Sequence, residues 1–210
     1  MLIVLFFFDE NGKILGEEYT QVFCSDFVLS KNKGNTVSTL SSSNALKDLT
    51  ESYGGNYFFT PVGEMNVVKK MKEENSIVGG EGGGGIIYPE LHYGRDALVG
   101  IALFLGLLVN KDCKVSDLKS NYPVYFMKKL KVLLKDDKII DKIFNDITNK
   151  YSDLSPNTDD GVRIDFEDGW VHMRKSNTEP IVRIFSESKD QEKADNLANK
   201  IKKEILLLGG

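Results

Sequence analysis

Two short segments carry side chains that suit the recognition of a ligand, and the first suits an anion. Arg174 and Arg183 enclose the sequence RKSNTEPIVR, and they are two of only four arginines in the chain. Between them, Ser176, Asn177 and Thr178 add hydroxyl and amide groups to the backbone N–H groups of a short loop. Guanidinium forks and such donors form an oxyanion receptor of phosphate size. The alternative for the same residues is an ordinary polar turn between two strands.

The second segment is GGEGGGGIIYPE, residues 79–90, which has six glycines in its first seven positions. A flexible linker usually mixes glycine with serine and lies between domains. This run instead contains Glu81 and leads directly into the apolar residues Ile86 and Ile87. A carboxylate in a loop of bare backbone can accept hydrogen bonds from sugar hydroxyls, and glycine lets the ligand approach closely. From these residues alone, a tether and a ligand-binding loop both remain open.

The only two histidines lie close to these same segments. His92 follows the glycine run and precedes Arg95, and His172 lies two residues before Arg174. A packing or hydrogen-bonding role is the simpler interpretation of both, and a direct role in ligand binding is the alternative for His92.

Composition limits the function classes. The chain has 210 residues, a formal charge of −4 and a pI near 5.3, which argues against a protein that binds nucleic acid. Cys24 and Cys113 have neither disulfide nor zinc-site spacing, so a reducing, cytoplasmic location is expected. The longest apolar stretch, residues 97–109, is too short to span a bilayer. We therefore expect no membrane association and no metal site.

The hydrophobic periodicity predicts an α/β protein with two domains. In the first domain, strands are predicted at 36–40, 57–60, 77–78 and 86–88, and helices at 17–32, 44–53, 64–74 and after Asp96. A strand at 122–134 and a helix at 136–151 follow, and then strands at 162–166, 170–174 and 181–186 and a helix at 190–207. This last part is a compact β-β-β-α unit of α+β type. Asn11-Gly12 predicts an N-terminal hairpin.

Three segments resemble those of the α-D-phosphohexomutases, the phosphoglucosamine, phosphomanno- and phosphoglucomutases. GGEGGGGIIYPELHYGRDALVGIALFL resembles the sugar-binding loop and following helix of their third domain, TPVGEMNVVKKMKE resembles the segment before that loop, and RKSNTEPIVRIFSES is similar to the phosphate-binding loop of their fourth domain. The resemblance covers nearly the whole chain from Asp9. It implies a remnant hairpin of the second domain at 1–15, a sugar-binding α/β domain at 16–121 and a phosphate-binding α+β domain at 122–210.

The resemblance also implies roles for individual residues. Those implied to bind sugar are Gly63, Gly80, Glu81, Gly83 and His92; those implied to bind the distant phosphate are Arg174, Ser176, Asn177, Thr178 and Arg183. Gly83 departs from the family pattern, which usually has a polar residue there. The implied ligand is a glucosamine, mannose or glucose phosphate.

In the family, a phosphoserine transfers a phosphoryl group between the two ends of the sugar with the help of Mg²⁺. The phosphoserine belongs to the first domain and the Asp-rich metal loop to the second, and no Asp-x-Asp-x-Asp sequence occurs here. The expectation is a C-terminal half with no catalytic residue and no Mg²⁺ site of its own, which is inactive alone. The missing N-terminal half is an expected partner. A stand-alone phosphosugar-binding module, or a subunit of a split enzyme, is the alternative.

Overall fold

A computed structural model describes residues 4–134, 139–176 and 181–209. The chain divides into two compact units, residues 1–124 and residues 125–210, each with its own sheet. The first unit mixes parallel and antiparallel strands with helices, and the second is an antiparallel sheet covered by helices. The predicted α/β domain followed by a smaller α+β domain is therefore confirmed.

The first unit alternates helices and strands along most of its length. Its elements are α1 (Glu17–Lys31), β1 (Thr36–Thr39), α2 (Asn44–Ser52), β2 (Tyr57–Thr60), α3 (Glu64–Glu73), β3 (Val78–Glu81), β4 (Gly85–Tyr88), β5 (His92–Arg95), α4 (Ala97–Lys111) and α5 (Val115–Leu118). The sheet has the order β2-β1-β3-β4-β5, in which β1 is parallel to both β2 and β3. The remaining two pairs are antiparallel, so the sheet ends in a meander formed by the glycine run and the residues after it.

Helix ends follow the capping chemistry of the sequence. The Ser43 hydroxyl accepts a hydrogen bond from the Ala45 N–H at the start of α2. The Asp96 carboxylate accepts from the N–H groups of Leu98 and Val99 at the start of α4. Such bonds satisfy N–H groups that have no partner within the helix.

The glycine run forms a β-hairpin, which corrects the predicted extent of this segment. The strand predicted at 77–78 continues through the glycines as β3, and β4 begins at Gly85. A Cβ on Gly80 would lie 1.9 Å from the Gly85 carbonyl oxygen, and Gly84 has φ of +88° with its backbone close to Leu5. Only glycine permits the two backbones to approach this closely. Because glycine has a low β-propensity, the sequence gives no sign of the strand pairing that this close approach makes possible.

Residues 7–14 form a short segment that packs against helix α4 within the first unit. Phe8 and Ile14 form an isolated antiparallel bridge, and the Asp9 carboxylate accepts from the N–H groups of Asn11 and Lys13 in the predicted turn. The ring of Phe7 stacks on Phe104 of α4, with centroids 3.6 Å apart. The predicted hairpin is therefore present in short form: the Asp9 N–H also donates to the Lys13 carbonyl oxygen, and the Leu15 N–H donates to that of Phe7.

The second unit contains four strands. Its elements are β6 (Phe126–Leu133), α6 (Ile140–Lys150), β7 (Val162–Phe166), β8 (Gly169–Lys175), β9 (Ile181–Ser188) and α7 (Gln191–Leu208). The sheet order is β6-β9-β8-β7, and every pair is antiparallel. The predicted β-β-β-α unit is β7, β8, β9 and α7, and β6 extends it at the edge beside β9. The start of the helix predicted at 136–151 falls partly outside the described residues.

One face of this sheet forms the core of the second unit. Alternate residues of each strand, such as Ile164, Met173 and Ile184, pack with buried residues of α6 and α7. The opposite face holds the intervening residues, because side chains alternate along a strand. Arg174 and Arg183 belong to that opposite face.

Candidate functional site

The carboxylate of Glu81 is held at the end of β3 by two donors. Its Oε1 accepts a hydrogen bond from the Gly63 N–H at 3.1 Å, and its Oε2 lies 2.5 Å from Nη1 of Arg95. The Glu81 side chain is 15% exposed. A carboxylate with one oxygen on each donor has a fixed orientation and still has lone pairs for a ligand hydroxyl.

Arg95 connects Glu81 to the start of α3. Its Nε lies 2.8 Å from Oε2 of Glu64, and its backbone N–H donates to the other oxygen of the same carboxylate at 3.3 Å. The hydrogen bond from Arg95 lowers the pKa of Glu64. Arg95 therefore binds two carboxylates that come from different elements. The position of Arg95 shortly after the glycine run in the sequence does not by itself reveal this role.

The predicted Gly63 lies immediately before α3 and has φ of +131°. Its N–H is directed at Glu81, so its contact in this structure is with the predicted sugar-binding carboxylate. This arrangement joins TPVGEMNVV to the glycine run through Gly63 and Glu81, which are 18 residues apart in the sequence.

Serine hydroxyls hold the hairpin from the side of β1. The Ser42 hydroxyl accepts a hydrogen bond from the Gly82 N–H at 3.1 Å. The Ser38 hydroxyl oxygen lies within hydrogen-bond distance of the Gly80 carbonyl oxygen, at 3.2 Å. Both serines are buried. These contacts of the serines with the hairpin were not predicted from the sequence. The signal was the density of serines after β1, which alone does not reveal the partner.

Gly83 lies at the tip of the hairpin. A Cβ placed there meets no atom within 4 Å, in contrast to Gly80 and Gly84. Space for a polar side chain is therefore present at the position where the sequence departs from the phosphohexomutase pattern.

His92 begins β5, and its ring bonds to the helix cap that follows. Its Nε2 lies 3.1 Å from Oδ2 of Asp96, and the side chain is 47% exposed. The hydrogen bond from His92 lowers the pKa of Asp96. This contact orients the exposed imidazole, which remains accessible to a ligand.

The second unit places the two predicted phosphate-binding arginines side by side. Arg174 of β8 and Arg183 of β9 are directly opposed, so their side chains leave the sheet on the same face. Arg174 Nε lies 2.8 Å from Oδ2 of Asp160, although it is not aligned as a hydrogen bond. Ser176 is buried and donates its backbone N–H to the Ile181 carbonyl at 3.0 Å. Asn177 and Thr178 lie outside the described residues.

His172 lies on the same face and is fully buried. Burial lowers the pKa of His172 to about 4. The imidazole is therefore neutral at pH 7, and its Nε2 donates to the Asp160 carbonyl oxygen at 2.6 Å. The expected hydrogen-bonding role of His172 fits this geometry: His172 and Arg174 both contact Asp160.

Among residues 4–134, 139–176 and 181–209, no cluster of three or more His, Cys, Asp or Glu side chains could hold a metal ion. No helix in the described part of the chain is both long enough and apolar enough to cross a membrane.

Comparison with known proteins defines the class to which these two units belong. Residues 16–125 match the phosphoglucomutase/phosphomannomutase α/β/α domain III, and residues 113–204 match the C-terminal domain of the same proteins. The chain therefore belongs to the phosphoglucomutase/phosphomannomutase family.

Individual relatives show how much of a family member is present. The chain is 37% identical over 191 residues to a phosphoglucomutase/phosphomannomutase of Thermococcus kodakarensis, with 90% of this chain and 41% of the relative covered. It is 35% identical over 202 residues to a phosphoglucosamine/phosphogalactosamine mutase of Sulfurisphaera tokodaii, with 94% and 44% covered. The chain thus spans less than half the length of these curated relatives.

The solved structures agree in fold. A phosphoglucomutase/phosphomannomutase family protein of Burkholderia thailandensis superposes with a TM-score of 0.80 at 21% identity, over 98% of this chain and 44% of that one.

Proposed function

We propose that this chain supplies the sugar and phosphate recognition of a phosphohexomutase and carries no group that transfers the phosphoryl. Its first unit would bind the hydroxyls of a hexose phosphate through Glu81, Gly80, Gly63, His92 and the backbone at Gly83. Its second unit would bind the phosphate distant from the reacting centre through Arg174, Arg183 and the loop at 176–178. The substrate class is glucosamine, mannose or glucose phosphate, with the first two preferred.

The observation that carries the proposal is the direct opposition of Arg174 and Arg183 at the ends of two neighbouring strands. Two guanidinium groups facing each other repel, and a phosphate dianion between them removes that cost and accepts bidentate hydrogen bonds. The orientation of Glu81 by Arg95 and Gly63 supports the sugar-binding part in the same way, because it fixes an acceptor before the ligand arrives.

The reaction of the family would transfer phosphoryl between the 1- and 6-positions of the sugar. In this proposal the chain positions the substrate, while phosphoserine and Mg²⁺ belong to the N-terminal half, and the isolated chain is inactive. Positioning is a large part of catalysis in phosphoryl transfer, so a recognition half is a meaningful functional unit. The free cysteines Cys24 and Cys113 support a cytoplasmic location.

Calorimetric titration with glucosamine 6-phosphate tests the recognition. Arg174→Ala should weaken binding by on the order of 1.5–3 kcal/mol because it removes a charged phosphate contact. Lys128→Ala is the matched control, since Lys128 carries the same charge on the opposite face of the sheet, near Asp195. Absence of binding by the wild-type chain would overturn the recognition role. Isomerisation of glucosamine 6-phosphate or mannose 6-phosphate by the isolated chain, with Mg²⁺ and a bisphosphate activator, would overturn its inactivity.

A second candidate, a subunit that completes a split enzyme, is favoured by one surface. Helix α4 exposes an apolar stripe with the spacing of one helix face: Leu98, Ile101, Leu105 and Val109. Because the chain covers less than half of its relatives, we propose that a polypeptide carrying the first two mutase domains covers this stripe. Mutase activity that appears only on mixing the two polypeptides supports this candidate. Unchanged phosphosugar binding with no complementation favours a stand-alone module.

A further inference from the structure

The cation pair of Arg174 and Arg183 is extended by a lysine on the edge strand. Lys131 of β6 is directly opposite Arg183 of β9, which is directly opposite Arg174 of β8. Opposed residues in antiparallel strands project from the same face of a sheet, with Cβ atoms about 4.5–5.5 Å apart. Three basic residues therefore form one row across three strands.

Among the described residues of the second unit, one carboxylate forms an ion pair with this row. Asp160 contacts Arg174, and no other ion pair to the row is found among the described residues. Nε of Arg183 is buried without a hydrogen-bond partner, and Nε of Arg174 is likewise not hydrogen-bonded. The next acidic residue on this face of β9 is Glu187, four residues after Arg183. Its carboxylate accepts a hydrogen bond from the indole N–H of Trp170.

Like charges directly opposite one another destabilise a sheet, and a buried donor without a partner adds a further cost. Arg183 is the central member of the row, and an anion of high charge density bound beside it would offset both costs. Lys131 is exposed, and its long side chain can extend toward an anion bound at the two arginines.

We propose that Lys131 acts with Arg183 and Arg174 as the third cation of one anion-binding row and favours dianionic phosphomonoesters. The inference rests on the proposed function for the identity of the sugar, whereas binding of the anion itself depends only on the row. The contribution of Lys131 is that of a mobile point charge, which strengthens binding of the dianion more than that of a monoanion.

The experiment compares Lys131→Gln with Lys129→Gln in the full chain. Lys129 is two residues away on the same face and the same strand, where it is opposite Phe185 and lies over its ring. Inorganic phosphate, glucosamine 6-phosphate and uncharged glucosamine are titrated at pH 7.5 and at two salt concentrations. Fluorescence of Trp170, the only tryptophan, reports whether the second unit of each variant is folded.

Lys131→Gln should weaken binding of inorganic phosphate and glucosamine 6-phosphate about threefold to tenfold and reduce the salt dependence, while Lys129→Gln changes affinity less than about twofold. Equal affinities of a folded Lys131→Gln variant and the wild type would overturn the inference and leave the proposed function intact. Phosphate binding that depends on Lys131, without binding of the phosphosugar, would support the inference and remove the proposed function. No binding of either anion would overturn both.

Discussion

The guanidinium of Arg95 holds the carboxylate of Glu81, with Nη1 2.5 Å from Oε2, at the end of the strand that begins the glycine hairpin. The same guanidinium also bonds to Glu64. Arg95 thereby acts as a positioning residue: it fixes an acceptor that is proposed to meet a sugar, and it ties the hairpin to α3.

Replacing Arg95 by methionine should destabilise the first unit. The substitution leaves the partly buried carboxylates of Glu81 and Glu64 without their shared cation, at a cost of about 1–3 kcal/mol. Calorimetric unfolding measures the change, and Lys69→Met is the control, because the Lys69–Glu73 pair is exposed and 4.0 Å apart. Equal stabilities of the two variants would show that Arg95 is not a structural link. Arg95→Met should also weaken binding of glucosamine 6-phosphate, and Arg95→Lys should restore part of that affinity.

The free energy of unfolding of the second unit should decrease as the pH is lowered, because of His172. Its pKa is about 4 in the folded state and 6.5 ordinarily, so the unfolded state binds more protons between these values. Stability is therefore lost as pH falls from about 6.5 to about 4, by roughly 3 kcal/mol in total, and His172 causes no further loss below that. Urea unfolding followed by Trp170 fluorescence measures the profile.

His172→Gln keeps an N–H donor for the Asp160 carbonyl and removes the titrating group, so this part of the pH dependence should disappear. His92→Gln, which changes the only other histidine and lies in the first unit, should leave the Trp170 profile unchanged. A wild-type profile in the His172→Gln variant would contradict the assignment to His172.

Substitutions in the glycine hairpin should differ sharply by position. Gly83→Ser adds a side chain in open space and should change the free energy of unfolding by less than about 0.5 kcal/mol. Gly80→Ala forces a Cβ against the Gly85 carbonyl and should cost about 1–3 kcal/mol. Calorimetry distinguishes the two. Gly83→Ser should also tighten glucosamine 6-phosphate binding if the missing polar residue limits affinity, and an unchanged dissociation constant would argue against that role.

The exposed stripe on α4 should tolerate charge that the buried side of the helix does not. Leu105→Lys, at a side chain that is 55% exposed, should leave the thermal midpoint of the first unit nearly unchanged. Leu107→Lys, at a side chain that is 1% exposed, should unfold it, because an unpaired charge enters the core. Leu105→Lys should abolish complementation by a polypeptide with the first two mutase domains, and full complementation by that variant would refute α4 as its docking surface.

Much of the local structure was predictable from the sequence. Helices α1, α2, α3 and α4 begin where apolar periodicity and the caps Ser43 and Asp96 indicate, because these signals depend on residues a few positions apart. The glycine hairpin was not predictable in this way. Glycine has a low strand propensity, so propensity argues against strands here. What favours glycine is the close approach of the β3 and β4 backbones, which exists only when the two strands are paired.

Long-range polar contacts were likewise out of reach. Buried Asp26 accepts the hydroxyls of Tyr53 and Tyr122, which are 27 and 96 residues away, and periodicity gives no sign of either partner. The same holds for the bond of Arg95 to Glu64, 31 residues earlier.

The sequence by itself determined which residue types could recognise a phosphosugar: the arginines around residues 174–183 and the carboxylate within the glycine run. Only the tertiary structure decided how they are arranged. Strand register placed Lys131, Arg183 and Arg174 in one row, and the fold brought Gly63 and Arg95 to the two oxygens of Glu81. The physical reason is that side-chain chemistry is a local property, whereas register and cross-element contacts depend on how whole elements pack to bury their apolar faces.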